Sequence, residues 1–139
     1  MLRGEVSVDE RNAKWDVKFD ELSNKVLGCA LEVHRQLGPG LLESAYEQCL
    51  AYELRHANVP FRVQVELPIQ YKQIQLDCGY RMDLLVADRL IVELKSVDQL
   101  LRIHEAQILT YMKLAKLKVG LLINFNVEVL RQGIKRFVL

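Results

Sequence analysis

Three cysteines in 139 residues, Cys29, Cys49 and Cys78, stand without a Cys-x-x-Cys pair or any other paired metal-ligand spacing. An odd set of unpaired thiols argues against a disulfide framework and leaves a structural zinc site unsupported. The three histidines form no His-x-x-x-His element, so a zinc hydrolase is not expected. No glycine-rich phosphate loop is present, which argues against nucleotide binding of that type. Nor does any local motif support Ser–His or Cys–His nucleophilic catalysis. Apolar runs fall short of the roughly 18 to 20 residues that span a bilayer. The start, Met1 to Glu5, has no apolar signal-peptide core. A soluble cytoplasmic protein is the expectation. Charge blocks and low-complexity runs are also missing, which argues against disorder.

What is present suits one domain with one core: half of the residues are hydrophobic. The net charge of +1 hides an asymmetry. Residues 1–88 carry 10 Lys/Arg against 14 Asp/Glu, hence −4, and residues 89–139 carry 9 against 4, hence +5. A basic half beside an acidic one is compatible with a phosphate-bearing partner.

Residues 1–15 are polar and unpatterned and are expected to form a flexible arm, with a single domain over 16–139. Apolar residues from Leu22 to Leu37 recur at helical spacing, with Asp20 as N-cap and Gly38-Pro39-Gly40 as the stop. A second helix is expected from about Leu41 to Asn58. Glu43, in its first turn, suits the helix dipole, and Glu47 and Glu53 read as solvated. From Phe61 to Leu67 the pattern alternates, marking a strand exposed on one face, which Pro68 interrupts at an edge or bend. Ile69 to Gln75 reads as its continuation and a turn. Two strands, Gln75–Ala87 and Leu90–Ser96, form a hairpin. A helix follows over about Val97–Lys118, with His104, Gln107 and Tyr111 on one stripe. Gly120–Phe125 reads as a strand buried on both faces, and Gly133–Val138 as a last edge strand. The strand–helix–strand passage implies a parallel pair in an otherwise antiparallel sheet, so the fold class is α/β, a mixed central sheet with helices packed on it.

The hairpin carries the chemistry. Asp83, Glu93 and Lys95 are set among aliphatic residues, where a charge is costly unless paired, hydrogen-bonded or metal-bound. Glu93 and Lys95 share one strand face. A two-residue turn at Asp88-Arg89 would put Asp83 on the other face. The turn has no glycine, which disfavours that geometry. A three-residue connection, Ala87 to Arg89, pairs Val86 with Leu90 and so Asp83 with Glu93, about 5 Å apart. Facing carboxylates repel unless a cation or proton lies between them. With the Leu94 carbonyl they make a hard oxygen site for Mg²⁺ or Mn²⁺, and Lys95 could orient a water or offset transition-state charge. These are the needs of phosphodiester hydrolysis. The alternative is a cross-strand salt-bridge cluster on a solvated face.

Gly40-Leu-Leu-Glu43-Ser-Ala-Tyr46 resembles the Gly-x-x-Glu-x-x-Tyr signature of the GxxExxY protein family. Val33 to Gly40, Asp83, Glu93-Leu94-Lys95, His104 to Gln107 and Leu122 to Phe125 are also similar to that family, so the likeness spans roughly residues 20–138. The family is grouped with the PD-(D/E)XK, or restriction-endonuclease-like, nucleases. The resemblance implies a mixed central β-sheet flanked by helices, with a metal-dependent nuclease centre on the hairpin. Asp83 and Glu93 would be metal ligands and Lys95 the water-orienting base. Glu43 would be the acidic residue from the N-terminal helical region, and Gln107 the polar residue on the following helix. The proline that precedes the superfamily's aspartate is replaced by Met82.

The expected function is Mg²⁺- or Mn²⁺-dependent hydrolysis of nucleic acid, DNA ahead of RNA, with a homodimer plausible for so small a domain. The rivals are a catalytically silent nucleic-acid-binding module and an assembly component on the same fold.

Overall fold

The computed structural model describes residues 20–139 and the backbone of Glu5–Val6. Apart from that short strand, β1, the expected N-terminal arm lies outside the described residues. In chain order the elements are α1 (Glu21–Leu37), α2 (Glu43–His56), β2 (Phe61–Glu66), β3 (Ile69–Tyr71), β4 (Ile74–Leu76), β5 (Arg81–Val86), β6 (Leu90–Lys95), α3 (Arg102–Ala115), β7 (Val119–Asn124) and β8 (Ile134–Val138), the last preceded by a 3₁₀ turn, Leu130–Gly133.

The main sheet runs β1-β8-β7-β6-β5-β2, and only β6 and β7 are parallel. Its two faces bury different sets of side chains. Leu84, Val86, Leu90, Val92, Leu94, Leu121 and Ile123 pack against α1 and α2. Met82, Leu85, Ile91, Leu122 and Phe137 pack against α3 through Ile108, Leu109, Tyr111 and Met112. The result is a three-layer sandwich around a central hydrophobic β6–β7 pair. At Gly120 the fit is so close that a Cβ would meet the Met112 sulfur at 2.7 Å, so α3 lies directly on the sheet.

Local signals account for most boundaries. Asp20 caps α1 by accepting from the Ser23 N–H at 2.7 Å, and its other oxygen takes the Arg136 guanidinium at 2.9 Å, tying the helix start to β8. Gly38, at φ +66°, ends the helix and donates to His34 O. Asn58, at φ +57°, follows the end of α2.

Several expectations need correction. α2 starts at Glu43 rather than Leu41, because the segment before it is tied elsewhere: Tyr46 Oη donates to Gly38 O at 2.6 Å and accepts from Leu41 N, and Ser96 Oγ donates to Leu41 O. Ile69 to Gln75 does not continue β2. It opens a separate two-stranded hairpin, β3–β4, since Leu67 N instead bonds Tyr80 O and returns the chain to β5. α3 is shorter than expected because the buried Asn124 amide holds Val97 outside the helix, donating to its carbonyl at 2.9 Å and accepting from its N–H at 3.1 Å. β8 is not the sheet edge, since Glu5–Val6 pairs alongside it.

Candidate functional site

The β5–β6 connection spans the three residues Ala87–Arg89, with Val86 paired to Leu90. Arg89 N closes the turn on Val86 O at 3.0 Å, and both Ala87 and Asp88 take positive φ, +52° and +54°. A left-handed backbone costs Ala87 more than Asp88, whose short polar side chain suits that region. The register, continued from Leu84 opposite Val92, sets Asp83 opposite Glu93.

At that point the sheet forks. β5 stays paired with β2 as far as Arg81–Glu66, and β6 stays paired with β7 as far as Lys95–Asn124, but the β5–β6 backbone pairing stops at Leu84–Val92. Carboxylates fill the fork. Asp83 N donates to Glu93 Oε2 at 2.7 Å, and Leu94 N donates to Asp83 Oδ2 at 2.8 Å. Each side chain thus satisfies a backbone N–H that the parting strands would leave orphaned. On β2, Gln64 lies opposite Asp83 with φ +50°. The kink turns both strands over: Phe61, Leu84 and Val86 face the α1–α2 core, whereas Val65 and Met82 face the α3 core.

Electrostatics at the fork are unfavourable for two anions. Glu93 is only 6% exposed. Burial first, then the Asp83 charge, push its carboxyl up to about 8, against partial relief from the Asp83 N–H and from Lys95. Asp83 is also raised, by burial and by the charges of Glu47 and Glu43, while the Leu94 N–H and Lys95 oppose the shift. Among the described residues no ammonium or guanidinium lies within ion-pair distance of either carboxylate. No three His, Cys, Asp or Glu side chains group closely enough there to cage an ion on their own. A divalent cation would therefore need the two carboxylates, backbone carbonyl oxygen and water. That hard-oxygen donor set fits Mg²⁺ or Mn²⁺.

The structure brings most of the expected residues to this end of the sheet. Lys95, half-buried, ends β6 on the same face as Glu93. Leu94, buried between them, uses its N–H on Asp83. Glu43, exposed in the first turn of α2, contributes to the charge felt by both carboxylates. Gln107 donates its amide N–H to Tyr111 Oη at 3.1 Å. His104 serves the fold: Nδ1 accepts from Leu101 N at 3.0 Å and caps α3. His34 does the same at a distance, its Nε2 lying 2.7 Å from Val127 O.

Two participants were missed. Glu47 is not simply solvated. It is half-buried, takes the Gln64 amide at 3.0 Å and adds its charge to Asp83, while the same amide lies 3.4 Å from Asp83 Oδ1. Its spacing, one turn after Glu43, was the available signal. Tyr111 is the other. Its hydroxyl is raised by burial, with the Gln107 bond opposing and the Glu93 charge adding to the shift, and its ring packs edge-on to Tyr80 at 6.1 Å.

The model of the PD-(D/E)XK nuclease superfamily matches residues 20–137. No curated protein and no solved structure matches the chain. A mixed sheet flanked by helices, matched from the cap of α1 into β8, is the restriction-endonuclease-like fold, and the chain belongs to the PD-(D/E)XK nuclease superfamily.

Proposed function

We propose that the protein hydrolyses phosphodiester bonds in nucleic acid, DNA ahead of RNA, with Mg²⁺ or Mn²⁺. The observation that carries this reading is the fork itself, where a buried Glu93 and a half-buried Asp83 carboxylate oppose each other with no ion pair among the described residues and only the more distant Lys95 charge to offset them. Asp83 and Glu93, with the Leu94 carbonyl, would hold the cation. When bound, it supplies Lewis-acid polarisation of the phosphoryl oxygen and makes water acidic enough to attack. Lys95 holds the attacking water in line and offsets charge that develops on the phosphoryl oxygens. Glu43, with Glu47 beside Gln64, completes an acidic wall that accepts protons or hydrogen bonds from water. Gln107 acts on Tyr111, whose hydroxyl feels the charges of Glu93 and Asp83.

We also infer that, within the superfamily, this is a GxxExxY-type chain. Gly40 sits at φ +102°, and Tyr46 both stacks on Phe125 at 4.5 Å and clasps the Gly38–Leu41 loop. The motif's three residues thus fix where Glu43 enters the site. A homodimer would give the small domain more substrate-reading surface, and light scattering reads that directly.

The test is cleavage of single-stranded, duplex and branched DNA and of RNA with Mg²⁺ or Mn²⁺. Wild type should cut at least one of them, and Lys95→Ala should lower the rate by two or more orders of magnitude. Equal inertness of both on every substrate would overturn the hydrolase reading.

A further inference from the structure

The β3–β4 hairpin springs from the forked end of the sheet, between β2 and β5. Its register pairs Ile69 with Leu76 and Tyr71 with Ile74, while Gln70 pairs with Gln75. Alternation therefore collects four apolar side chains on one face and the glutamines on the other. That face is open: Tyr71 is 57% exposed and Ile74 54%. Just beyond it comes Tyr80, 44% exposed. Tyr80 packs edge-on to Tyr111, whose hydroxyl feels the charges of Glu93 and Asp83. Tyr80 thus links the segment that follows the hairpin to the carboxylate fork.

A two-stranded hairpin with an uncovered apolar face is marginal by itself and is stabilised by an occupant that covers it. Size discriminates between occupants. Strands of three residues are about 10 Å long and lie about 5 Å apart. A second copy of the chain would need roughly 800 Å² per partner for a stable interface, far more than this face offers. One or two nucleobases match it. Charge points the same way. Lys72, 5.5 Å over the Tyr71 ring, sets a cation at the edge of this face, where the phosphate of a single strand can meet it. Proximity completes the case. Tyr80 is three residues from Asp83, about 10 Å along an extended chain, so it lies within reach of a strand whose phosphodiester sits at the fork.

We propose that Tyr80, Tyr71 and Ile74 form a stacking platform for unpaired bases, so that the enzyme acts on single-stranded nucleic acid or on the unpaired arm of a branched one. The inference rests on the hydrolase reading above. Base–aromatic stacking contributes about 1–3 kcal/mol per base, which is roughly a 5- to 150-fold change in affinity.

The experiment is fluorescence anisotropy with a labelled 20-nucleotide oligo-dT and a blunt 20-base-pair duplex, with Ca²⁺ in place of Mg²⁺, beside Mg²⁺ cleavage assays. Oligo-dT should bind more tightly than duplex. Tyr71→Ala and Tyr80→Ala should each weaken oligo-dT binding about 5- to 150-fold, leave duplex binding unchanged, and be rescued by Tyr71→Phe and Tyr80→Phe. Circular dichroism melts on the same variants separate lost stacking from lost folding. If duplex is bound as tightly and cut as fast, or the alanine variants bind like wild type, the platform is refuted while the hydrolase reading stands. If neither nucleic acid is bound or cut, both fail. Sedimentation showing a dimer that Tyr71→Ala dissociates would assign the face to a second copy and overturn the proposal.

Discussion

Replacing Glu93 by Gln should make the metal-free protein more stable at alkaline pH and no more stable at acid pH. The buried carboxyl moves from an ordinary 4.5 to about 8 on folding. A carboxylate raised in this way takes up a proton when the chain folds at any pH between the two values. Below about 4.5 both states are protonated and nothing is lost. As pH rises through the window, stability falls, and above about 8 the loss is complete. The span corresponds to about 5 kcal/mol. The amide keeps an oxygen for the Asp83 N–H, now 2.7 Å from Glu93 Oε2, but buries an NH₂ group, which costs about 1–2 kcal/mol. The net gain at pH 9 is about 3 kcal/mol, or roughly 10 °C in Tm for a chain of this length. The assay is thermal and urea unfolding of wild type and Glu93→Gln at pH 5, 7 and 9, without divalent ions and with Mg²⁺ or Mn²⁺. The curves should cross between pH 5 and 7. The cation should raise the Tm of wild type at pH 9 and leave that of the variant nearly unchanged. A variant equally destabilised at every pH, or a cation that stabilises both proteins alike, would refute the reasoning.

Three further outcomes follow from other contacts. Asp20 is held below the usual carboxylate range: burial would raise it, but bonds from Ser23 and Arg136 outweigh that. Its contribution is therefore present above pH 4 and is lost as pH falls through the lowered value. Asp20→Asn, which keeps the cap, should reduce acid sensitivity while costing under about 1 kcal/mol at pH 7 by unfolding titration, because the pair is partly exposed. Asn124→Ala removes the Asn124 bonds to Val97 and Asn126 from a buried site, and should lower unfolding free energy by about 2–4 kcal/mol in urea. Tyr46→Phe keeps the stack on Phe125 but frees the Gly38–Leu41 loop; amide exchange there should quicken, with about 1 kcal/mol of stability lost and slower cleavage through misplacement of Glu43.

The parity of the β5–β6 turn was readable from residues alone, since a turn without glycine disfavours the two-residue form and only an odd connection lets Asp83 meet Glu93. The α1 cap at Asp20 and the parallel β6–β7 pair were readable for similarly local reasons. What escaped reading depended on partners far along the chain. Leu41 and Leu42 have helix-forming side chains, and only the ties from Tyr46 and Ser96 hold them outside α2. Ile69 to Leu76 has no glycine or proline turn signal, so its hairpin was hidden, although Lys72 takes φ +53° there. Gln64 looks like any polar strand residue, yet its left-handed backbone turns β2 over and carries Glu47 to Asp83. Gln107 was expected from the resemblance to act at the site, and the contact its side chain makes is with Tyr111, a partner one turn along its own helix.

The fork between β5 and β6 bears on how relatives of this chain are to be compared. Asp83 and Glu93 accept backbone protons that no neighbouring strand can take, so an acceptor at each position is required by the sheet whether or not the protein cuts anything. A lineage that abandoned hydrolysis would still be selected to keep them, or to drift only as far as Asn and Gln. Lys95 answers to no such demand: among the described residues its side chain closes no ladder. Survival of the two acids in a homologue is therefore a record of architecture, and survival of the lysine is the better record of use.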